Sequence, residues 1–301
     1  MIRPAVTAWV ATVALGAALT AAIGPAATAA TAAGCPSTMI FEVGGHLDPD
    51  AHVYDQSNAA LPPGVAFTQV HYPAQIAPYP GDTISLDDSV AEGVANLDHD
   101  AQVFTATCAD SHLTIAGYSE GALVAGNELG DLAQDTTIPA DRLNGVLYSD
   151  GRREGVDGGA GGIETNLPTI IPGLTMQGPR GFGDLAVQEL CNQNDGICNS
   201  ENPFTNLLAF ANGVDGYFSG AHGQYDFNPI AHSGSGNSVT PQPPLIPYGP
   251  PLPVAVPTPY QLFNGNLDGA RNAVAQLRGQ VADAVGPRIA AELDKFPWLS
   301  A

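Results

Sequence analysis

Residues 117–121 (GYSEG) are the part of the chain whose residue types and spacing could support nucleophilic chemistry. A serine on a sharp turn between a strand and a helix needs small residues on both sides, because its strained backbone leaves no room for larger ones. An apolar stretch (LTIA, residues 113–116) precedes the motif, and a helical pattern follows it. This setting favours Ser119 as a nucleophile over the simpler interpretation, a serine that only caps the following helix.

A nucleophilic serine needs a histidine base, and two histidines follow it in the chain, His222 and His232. His222 lies in a compact loop, residues 217–225 (YFSGAHGQY), whereas His232 borders a Ser/Gly-rich stretch in which a fixed geometry is harder to maintain. We therefore predict His222 as the base and keep His232 as the alternative. The simpler interpretation of either residue is a solvent-exposed loop histidine with no catalytic role.

The acid that orients this histidine is predicted to be Asp195. It lies between Cys191 and Cys198, and a disulfide between them would restrict the loop so that its carboxylate can orient an imidazole. Asp150, which follows the apolar stretch LNGVLYS, is the main alternative. The weaker candidates are Asp184, Asp215 and Asp226. Because the chain has 30 acidic residues, the simpler interpretation is that Asp195 is an exposed aspartate in a turn with no catalytic role.

The N-terminal segment, residues 1–33, has the composition of a secretory signal. One arginine, a long apolar stretch and a run of small residues lead to an A-x-A-type cleavage site near Ala33. An uncleaved anchor helix is the alternative, since the apolar stretch is long enough to span a bilayer. Export favours paired cysteines. The short separation of Cys191 and Cys198 favours a local disulfide, which leaves Cys35 to pair with Cys108.

Segments of strand and helix character alternate along the chain, which predicts a parallel sheet covered on both faces. The predicted strands are residues 38–43, 65–72, 113–117, 143–149 and 186–191, and the predicted helices are residues 85–105 and 120–132. Such sheets place their ligand sites at the carboxyl ends of the strands. We therefore expect an α/β fold with Ser119 and Asp195 at that edge.

Composition divides the chain into a signal peptide (1–33), an α/β domain (34–239), a Pro-rich segment (240–265) and a C-terminal helical extension (266–301). From Pro241 to Pro259, nine of 19 residues are proline, which predicts an extended and stiff segment. Apolar residues at helical spacing follow between Leu267 and Val285. This helix is predicted to pack on the domain, with a lid or partner-binding role as the alternative.

The charge of the chain argues against several classes of function. Nine Lys and Arg residues stand against 30 Asp and Glu, so the clustered cations that bind nucleic acid or anionic membranes are missing. Lys295 is the only lysine, which effectively excludes phosphate-loop and Schiff-base lysine chemistry. The cysteines and histidines lack the spacing of a metal site. We expect neither a metal nor another cofactor, and no stable membrane span once the signal is removed.

Four features together resemble the cutinase-like serine hydrolases, and especially their actinobacterial relatives with a PE-PPE domain. They are the GYSEG motif, LYSD followed by Arg152-Arg153, the spacing Cys191-x3-Asp195-x2-Cys198, and His222 shortly before Tyr225. The resemblance covers roughly residues 35–229 and includes the position of the Cys35–Cys108 disulfide. It implies an α/β-hydrolase (cutinase-like) three-layer fold, with Ser119 as nucleophile, Asp195 as acid and His222 as base.

The resemblance implies a secreted or cell-envelope esterase or lipase that hydrolyses acyl esters or lipids through an acyl-enzyme. Backbone N–H groups of Glu120 and of Gly45 or His46, after the first strand, are predicted to bind the oxyanion. The Glu120 side chain should point away from a site that stabilises negative charge. Two alternatives stay open: acyl transfer to an alcohol or sugar acceptor, and a non-catalytic exported binding protein on the same fold.

Overall fold

The computed structural model of the protein describes residues 34–135, 137–156 and 159–263. The predicted signal peptide (1–33) and C-terminal helical extension (266–301) lie outside these ranges. Within the ranges, no helix has the length and apolar character that crossing a membrane requires.

In the part of the chain that the structure describes, six parallel strands form one sheet, in the order β2-β1-β3-β4-β5-β6. They are β1 (Thr38–Val43), β2 (Val65–Gln69), β3 (His112–Tyr118), β4 (Leu143–Tyr148), β5 (Ala186–Asn192) and β6 (Gly236–Thr240). In the register, Ile40 of β1 lies between Phe67 of β2 and Thr114 of β3. The central strands β3 and β4 are almost completely buried, as expected for parallel strands that are covered on both faces.

The helices are α1 (Asp55–Asn58), α2 (Leu86–Thr107), α3 (Glu120–Leu132), α4 (Ile163–Asn166), α5 (Leu207–Phe218) and α6 (Pro259–Phe263). Single 3-10 turns lie at His52–Tyr54, Ala140–Arg142 and Ala221–Gly223. The start of α2 follows from its sequence. Ser85 accepts a hydrogen bond from the Asp88 N–H at 3.1 Å, and the macrodipole favours the acidic side chains of Asp87 and Asp88 in the first turn.

Side chains of the central strands point alternately to the two faces of the sheet, and each face has its own core. Leu113 and Ile115 of β3 belong to the core that α2 and α3 cover. Ala116 belongs to the other core, together with Tyr54 and Tyr148. The layers, strand order and strand-to-helix turn after β3 confirm the predicted α/β-hydrolase fold.

The longer elements that the sequence did not predict are β6 and α5, and the short helices α1, α4 and α6 were not predicted either. The predicted strand at residues 65–72 is too long, since β2 ends at Gln69. Beyond it the chain turns towards the end of β1, where the Tyr72 hydroxyl donates to the Gly44 carbonyl at 2.7 Å.

The Pro-rich segment lies against the domain. The Leu252 N–H donates to the Thr205 carbonyl at 3.0 Å, and the Asn202 side-chain amide donates to the Val256 carbonyl at 2.9 Å. The segment is extended as predicted up to α6, which begins at Pro259. Proline is tolerated there because the first N–H of a helix has no intrahelical partner.

Candidate active site

Ser119 lies on the turn that joins β3 to α3, with φ 55° and ψ −118°. Positive φ is uncommon for a residue other than glycine and costs conformational free energy, so the surrounding structure must hold it. The two flanking glycines allow the turn to pack. A Cβ on Gly117 would overlap the Gly121 carbonyl, and one on Gly121 would overlap the Gly44 carbonyl. The small residues that the sequence motif requires are therefore imposed by the backbone itself.

The three residues predicted from sequence form one hydrogen-bonded chain. The Ser119 Oγ lies 2.8 Å from the His222 Nε2. The His222 Nδ1 lies 3.0 Å from each carboxylate oxygen of Asp195. In this arrangement the imidazole can accept the serine proton at one nitrogen while its other N–H donates to a carboxylate.

Asp195 is completely buried and accepts further hydrogen bonds. The Tyr225 hydroxyl donates to its Oδ2 at 2.6 Å, and the Ile197 N–H donates to its Oδ1 at 3.0 Å. Burial by itself raises the pKa of the Asp195 carboxyl. The hydrogen bonds and the nearby imidazole outweigh this, so its pKa lies below the ordinary value and the group is a carboxylate.

Two aromatic rings hold the imidazole of His222. The Tyr118 ring lies 5.1 Å from it and the Tyr217 ring 4.9 Å from it, both centroid to centroid. The Tyr118 hydroxyl also donates to the His222 carbonyl at 3.0 Å. The imidazole is therefore held by packing against two aromatic rings, and its side chain is 13% exposed.

The alternative histidine and acid lie elsewhere. The His232 Nδ1 shares a hydrogen bond with the Tyr148 hydroxyl at 3.0 Å. Asp150 forms an ion pair with Arg180 at 2.7 Å. Of the weaker acids, Asp226 lies 4.0 Å from the His232 Nε2 and Asp215 accepts from the Ser219 hydroxyl. The structure gives none of these residues a hydrogen bond to His222.

The predicted oxyanion residues border the serine turn. A Cβ on Gly45 would lie 3.2 Å from the Ser119 Cβ, so the loop after β1 passes directly beside the serine. Within the described residues, the N–H groups of Gly45, His46 and Glu120 have no backbone carbonyl as acceptor. The His46 Nε2 shares a hydrogen bond with the Asp82 carboxylate at 2.7 Å, which fixes this side chain to the loop before α2.

The Glu120 side chain points away from the serine, as expected. Its Oε1 accepts a hydrogen bond from the Ser89 hydroxyl of α2 at 2.6 Å, and the residue is 2% exposed. Burial raises the pKa of Glu120 to about 8, although the hydrogen bond from Ser89 opposes the shift. Near neutral pH this position therefore adds little negative charge beside the nucleophile.

Both predicted disulfides are present, Cys35–Cys108 and Cys191–Cys198. The loop closed by Cys191–Cys198, which we call the clip (residues 191–198), carries Asp195. The buried guanidinium of Arg153 donates to the Cys198 carbonyl at 2.7 Å, and the Ile163 N–H donates to the Ile197 carbonyl at 2.7 Å. The clip is thus anchored non-covalently as well as by its disulfide.

Sequence analysis did not predict Tyr217, and it named Ser149 (within LYSD) and Tyr225 only as features of the family resemblance, with no role in the site. Ser149 follows β4 with φ 54°, and its Oγ lies 3.0 Å from the His222 Nδ1. A lone serine or tyrosine carries no motif. The available signal was the position of Ser149 at the carboxyl end of a buried parallel strand, where such sheets place functional groups.

Cavity volume alone does not locate the site. A cavity of about 560 Å³ opens between α2 and α3, and its lining includes Asn127, Arg152 and Arg180 but no member of the Ser119–His222–Asp195 chain. The hydrogen-bond geometry therefore defines the candidate site.

Residues 63–243 match the PE-PPE domain family. The chain is 34% identical over 176 residues to Carboxylesterase Culp6 homolog of Corynebacterium glutamicum, an alignment that covers 50% of this chain and 55% of the relative. It is 31% identical over 176 residues to Esterase PE16 of Mycobacterium tuberculosis, covering 55% of this chain and 31% of the relative. The chain thus spans about half the length of the first relative and about a third of the second.

Solved structures with a partly similar fold include esterases and a cutinase-like protein. The catalytic core domain of acetyl xylan esterase from Trichoderma reesei is 21% identical with a TM-score of 0.39, covering 63% of this chain and 98% of that one. A cutinase-like protein from Cryptococcus sp. is 16% identical with a TM-score of 0.41, covering 69% and 100%. At TM-scores below 0.5 these likenesses support no statement about chemistry or substrate.

Proposed function

Because the chain belongs to the PE-PPE domain family, we propose that it is an exported serine esterase that hydrolyses acyl esters. The nucleophile, base and acid are Ser119, His222 and Asp195. The names of the two curated relatives, a carboxylesterase and an esterase, support this reaction. The observation that carries the proposal is the continuous hydrogen-bonded chain from a strained serine through an imidazole to a buried carboxylate.

The first half of the reaction forms the acyl-enzyme. His222 Nε2 takes the proton of Ser119 as the Oγ attacks the ester carbonyl carbon, and Asp195 stabilises the resulting imidazolium. The imidazolium then gives this proton to the alcohol oxygen, the carbon–oxygen bond to the alcohol breaks, and the acyl group remains on the serine.

The second half returns the enzyme to its starting state. His222 takes a proton from a water molecule, the hydroxide attacks the acyl carbon, and the serine leaves with the proton that the imidazole returns. Both tetrahedral intermediates carry a negative oxygen. The N–H of Glu120 and an N–H of Gly45 or His46 stabilise it, and loss of one such donor costs about 3 kcal/mol in comparable enzymes.

Export is supported by the disulfides and the N-terminal composition. Disulfides persist in oxidising compartments, and all four cysteines of the chain are paired. Together with the signal-like composition of residues 1–33, this supports a protein that acts outside the cytoplasm.

The proposal is tested with p-nitrophenyl esters and the Ser119→Ala variant. Wild-type protein should release p-nitrophenol from short-chain esters, and Ser119→Ala should be slower by a factor on the order of 10³ or more, because the triad acts as a unit. Thermal unfolding of the variant checks that it remains folded. Equal activity in a folded Ser119→Ala variant would exclude the serine mechanism.

A further inference from the structure

We propose that the cavity between α2 and α3 is a binding site for a neutral saccharide. Its volume is about 560 Å³, within the range of about 300–1,000 Å³ that small-ligand sites occupy. Its lining includes none of Ser119, His222 and Asp195, so the cavity is not part of the candidate active site. The site therefore adds a ligand for which the proposed esterase activity does not account.

The loop between α4 and β5 closes the cavity, and side chains of the lining hold this loop. Asp87 of α2 accepts hydrogen bonds from the N–H and the hydroxyl of Thr175, at 2.9 and 2.8 Å. The Arg152 Nε donates to the Gly178 carbonyl at 2.8 Å. The walls are therefore joined by hydrogen bonds of the protein itself. A ligand would enter a site whose shape is already set, which lowers the entropy cost of binding.

Two guanidinium groups orient the side-chain amide of Asn127 on α3. The Arg152 Nη1 donates to the Asn127 Oδ1 at 2.7 Å, and the Arg180 Nη1 donates to the same oxygen at 3.0 Å. Gly126 leaves room for this arrangement, because a Cβ there would overlap the Arg180 guanidinium. Both lone pairs of the amide oxygen are thus used, so Asn127 can offer only its NH2 group to a ligand in the cavity.

The other polar side chains of the lining supply both donors and acceptors. The Gln177 Oε1 accepts from the Arg152 Nη1 at 3.0 Å, which leaves its NH2 group to donate. The Gln134 Nε2 donates to a backbone carbonyl of α3 at 3.2 Å, which leaves its oxygen to accept. Asp131, an exposed residue, adds a carboxylate acceptor. A hydroxyl group both donates and accepts, so a ligand with several hydroxyls can use both kinds of partner.

The charges of the lining favour an uncharged ligand. Asp87 and Asp131 bring two carboxylates, and Arg152 and Arg180 bring two guanidinium groups, so the formal charges cancel. An anion would be repelled by both carboxylates and a cation by both guanidinium groups. A neutral ligand meets neither repulsion and can still form hydrogen bonds with charged partners, which are stronger than those between neutral groups.

An apolar strip on α2 distinguishes a sugar ring from a simpler polyol. Val90, Ala91 and Val94 lie along the side of α2 that lines the cavity. A sugar ring has apolar C–H groups on its faces and hydroxyls at its edge. One ring can therefore cover the strip and bind the polar groups of the other walls with its hydroxyls. Burial of the C–H groups is favourable in proportion to the apolar area that is covered.

Saturation-transfer NMR on the full chain tests the site with cellobiose, maltose, lactose and mannobiose, of which at least one should bind. Cellotetraose and maltotetraose distinguish a free disaccharide from a unit of a longer chain, which the cavity would bind at least as tightly. Ala91→Trp places an indole in the cavity and should weaken binding ten-fold or more. Ala106→Trp is the matched control, because Ala106 is another exposed alanine of α2 outside the cavity, and it should keep the wild-type Kd.

A second variant, Asp131→Ala, covers the case in which Ala91→Trp does not fold. It alters an exposed residue, so the fold should be retained. Loss of the carboxylate acceptor should weaken binding of the saccharide about ten-fold, whereas it would strengthen binding of inorganic sulfate to an anion site. The proposal is overturned if none of these sugars binds wild-type protein, or if folded Ala91→Trp or Asp131→Ala keeps the wild-type Kd. Sulfate binding without sugar binding would show an anion site and overturn it as well.

Discussion

At the scale of single residues, the Asp195 carboxylate is held by more hydrogen bonds than the triad alone requires. His222, Tyr225 and the backbone of the clip all contribute donors to one buried group. A carboxylate with several donors remains ionised despite its burial and has a fixed orientation. The imidazole that it orients is thereby kept in the tautomer that presents an unprotonated Nε2 to Ser119.

The two histidines that follow Ser119 should differ sharply in importance. His222→Ala removes the group that lies 2.8 Å from the Ser119 Oγ and should lower ester hydrolysis on the order of 10³-fold. His232→Ala removes a hydrogen bond to Tyr148 and should leave kcat/KM within a few-fold of wild type. Steady-state kinetics on one ester decide between them, and the reverse ranking would move the base to His232.

Sequence analysis named the three residues of the proposed triad, and two of them carry a local signature. Ser119 has its glycine-flanked motif, and Asp195 is marked by the cysteines on either side. Ser149 and Tyr225 belong to the family resemblance, but nothing local in the sequence indicates that they contact the triad. Their contacts with the triad depend on where β4 ends and on how the loop after His222 returns over the sheet, and both are set by tertiary packing.

At the scale of elements, the clip carries the proposed acid, Asp195, while contributing modestly to the stability of the fold. Closing a seven-residue loop stabilises the fold by about 2 kcal/mol in the chain-entropy estimate, against more than 4 kcal/mol for the long Cys35–Cys108 closure. The bonds from Arg153 and Ile163 attach the C-terminal end of the clip to the domain, but neither of them holds Asp195 itself. Loss of the disulfide should therefore affect catalysis before it affects folding.

A Cys191→Ser/Cys198→Ser variant should keep a cooperative thermal transition and lose most of its turnover. A displacement of Asp195 by about 1 Å can cost on the order of 10²-fold, because catalysis depends on the orientation of the imidazole. The matched control is Cys35→Ser/Cys108→Ser, which should lower Tm more and turnover less. Full activity in the clip variant would show that the disulfide is only structural.

The elements that sequence reasoning missed are those that depend on distant contacts. The α5 sequence, LLAFANGVDGYF, contains two glycines, which disfavour a helix. The structure explains both. Gly213 packs on the backbone of Gly196, and a Cβ on Gly216 would overlap the carbonyl of Asn194. The strand β6 (GNSVT) is a largely exposed edge strand with one apolar residue, so its periodic pattern is too weak to detect.

At the scale of the whole molecule, the acidity extends into the interior. Among the described residues, four glutamates are buried and Glu189 is half-buried, and burial raises the pKa of each: Glu42, Glu120, Glu128, Glu164 and Glu189. For Glu42 and Glu120 the pKa is raised to about 7 and about 8, from the ordinary value of 4.5. Between about pH 4.5 and about pH 8, these carboxyl groups therefore stay protonated in the folded state although the unfolded chain has already released the protons.

This difference predicts that the protein is more stable in mild acid than in mild base. The free energy of unfolding should fall as the pH rises from about 4.5 to about 8, since the unfolded chain binds fewer protons across this window. Thermal unfolding at about pH 5.5 and about pH 8.5 measures the effect, with Tm expected to be higher at the lower pH. Glu120→Gln should reduce the difference, and a Tm that rises towards pH 8.5 would contradict the prediction.

The central claim, that Ser119 is a nucleophile activated by His222, is tested most directly by covalent labelling with a fluorophosphonate probe. Wild-type protein should gain the mass of one probe, and peptide mapping should place it on Ser119. Ser119→Ala should gain none, whereas Ser149→Ala, which alters the other serine beside His222, should still be labelled. An unlabelled wild-type protein, or a probe carried by Ser119→Ala, would contradict the account.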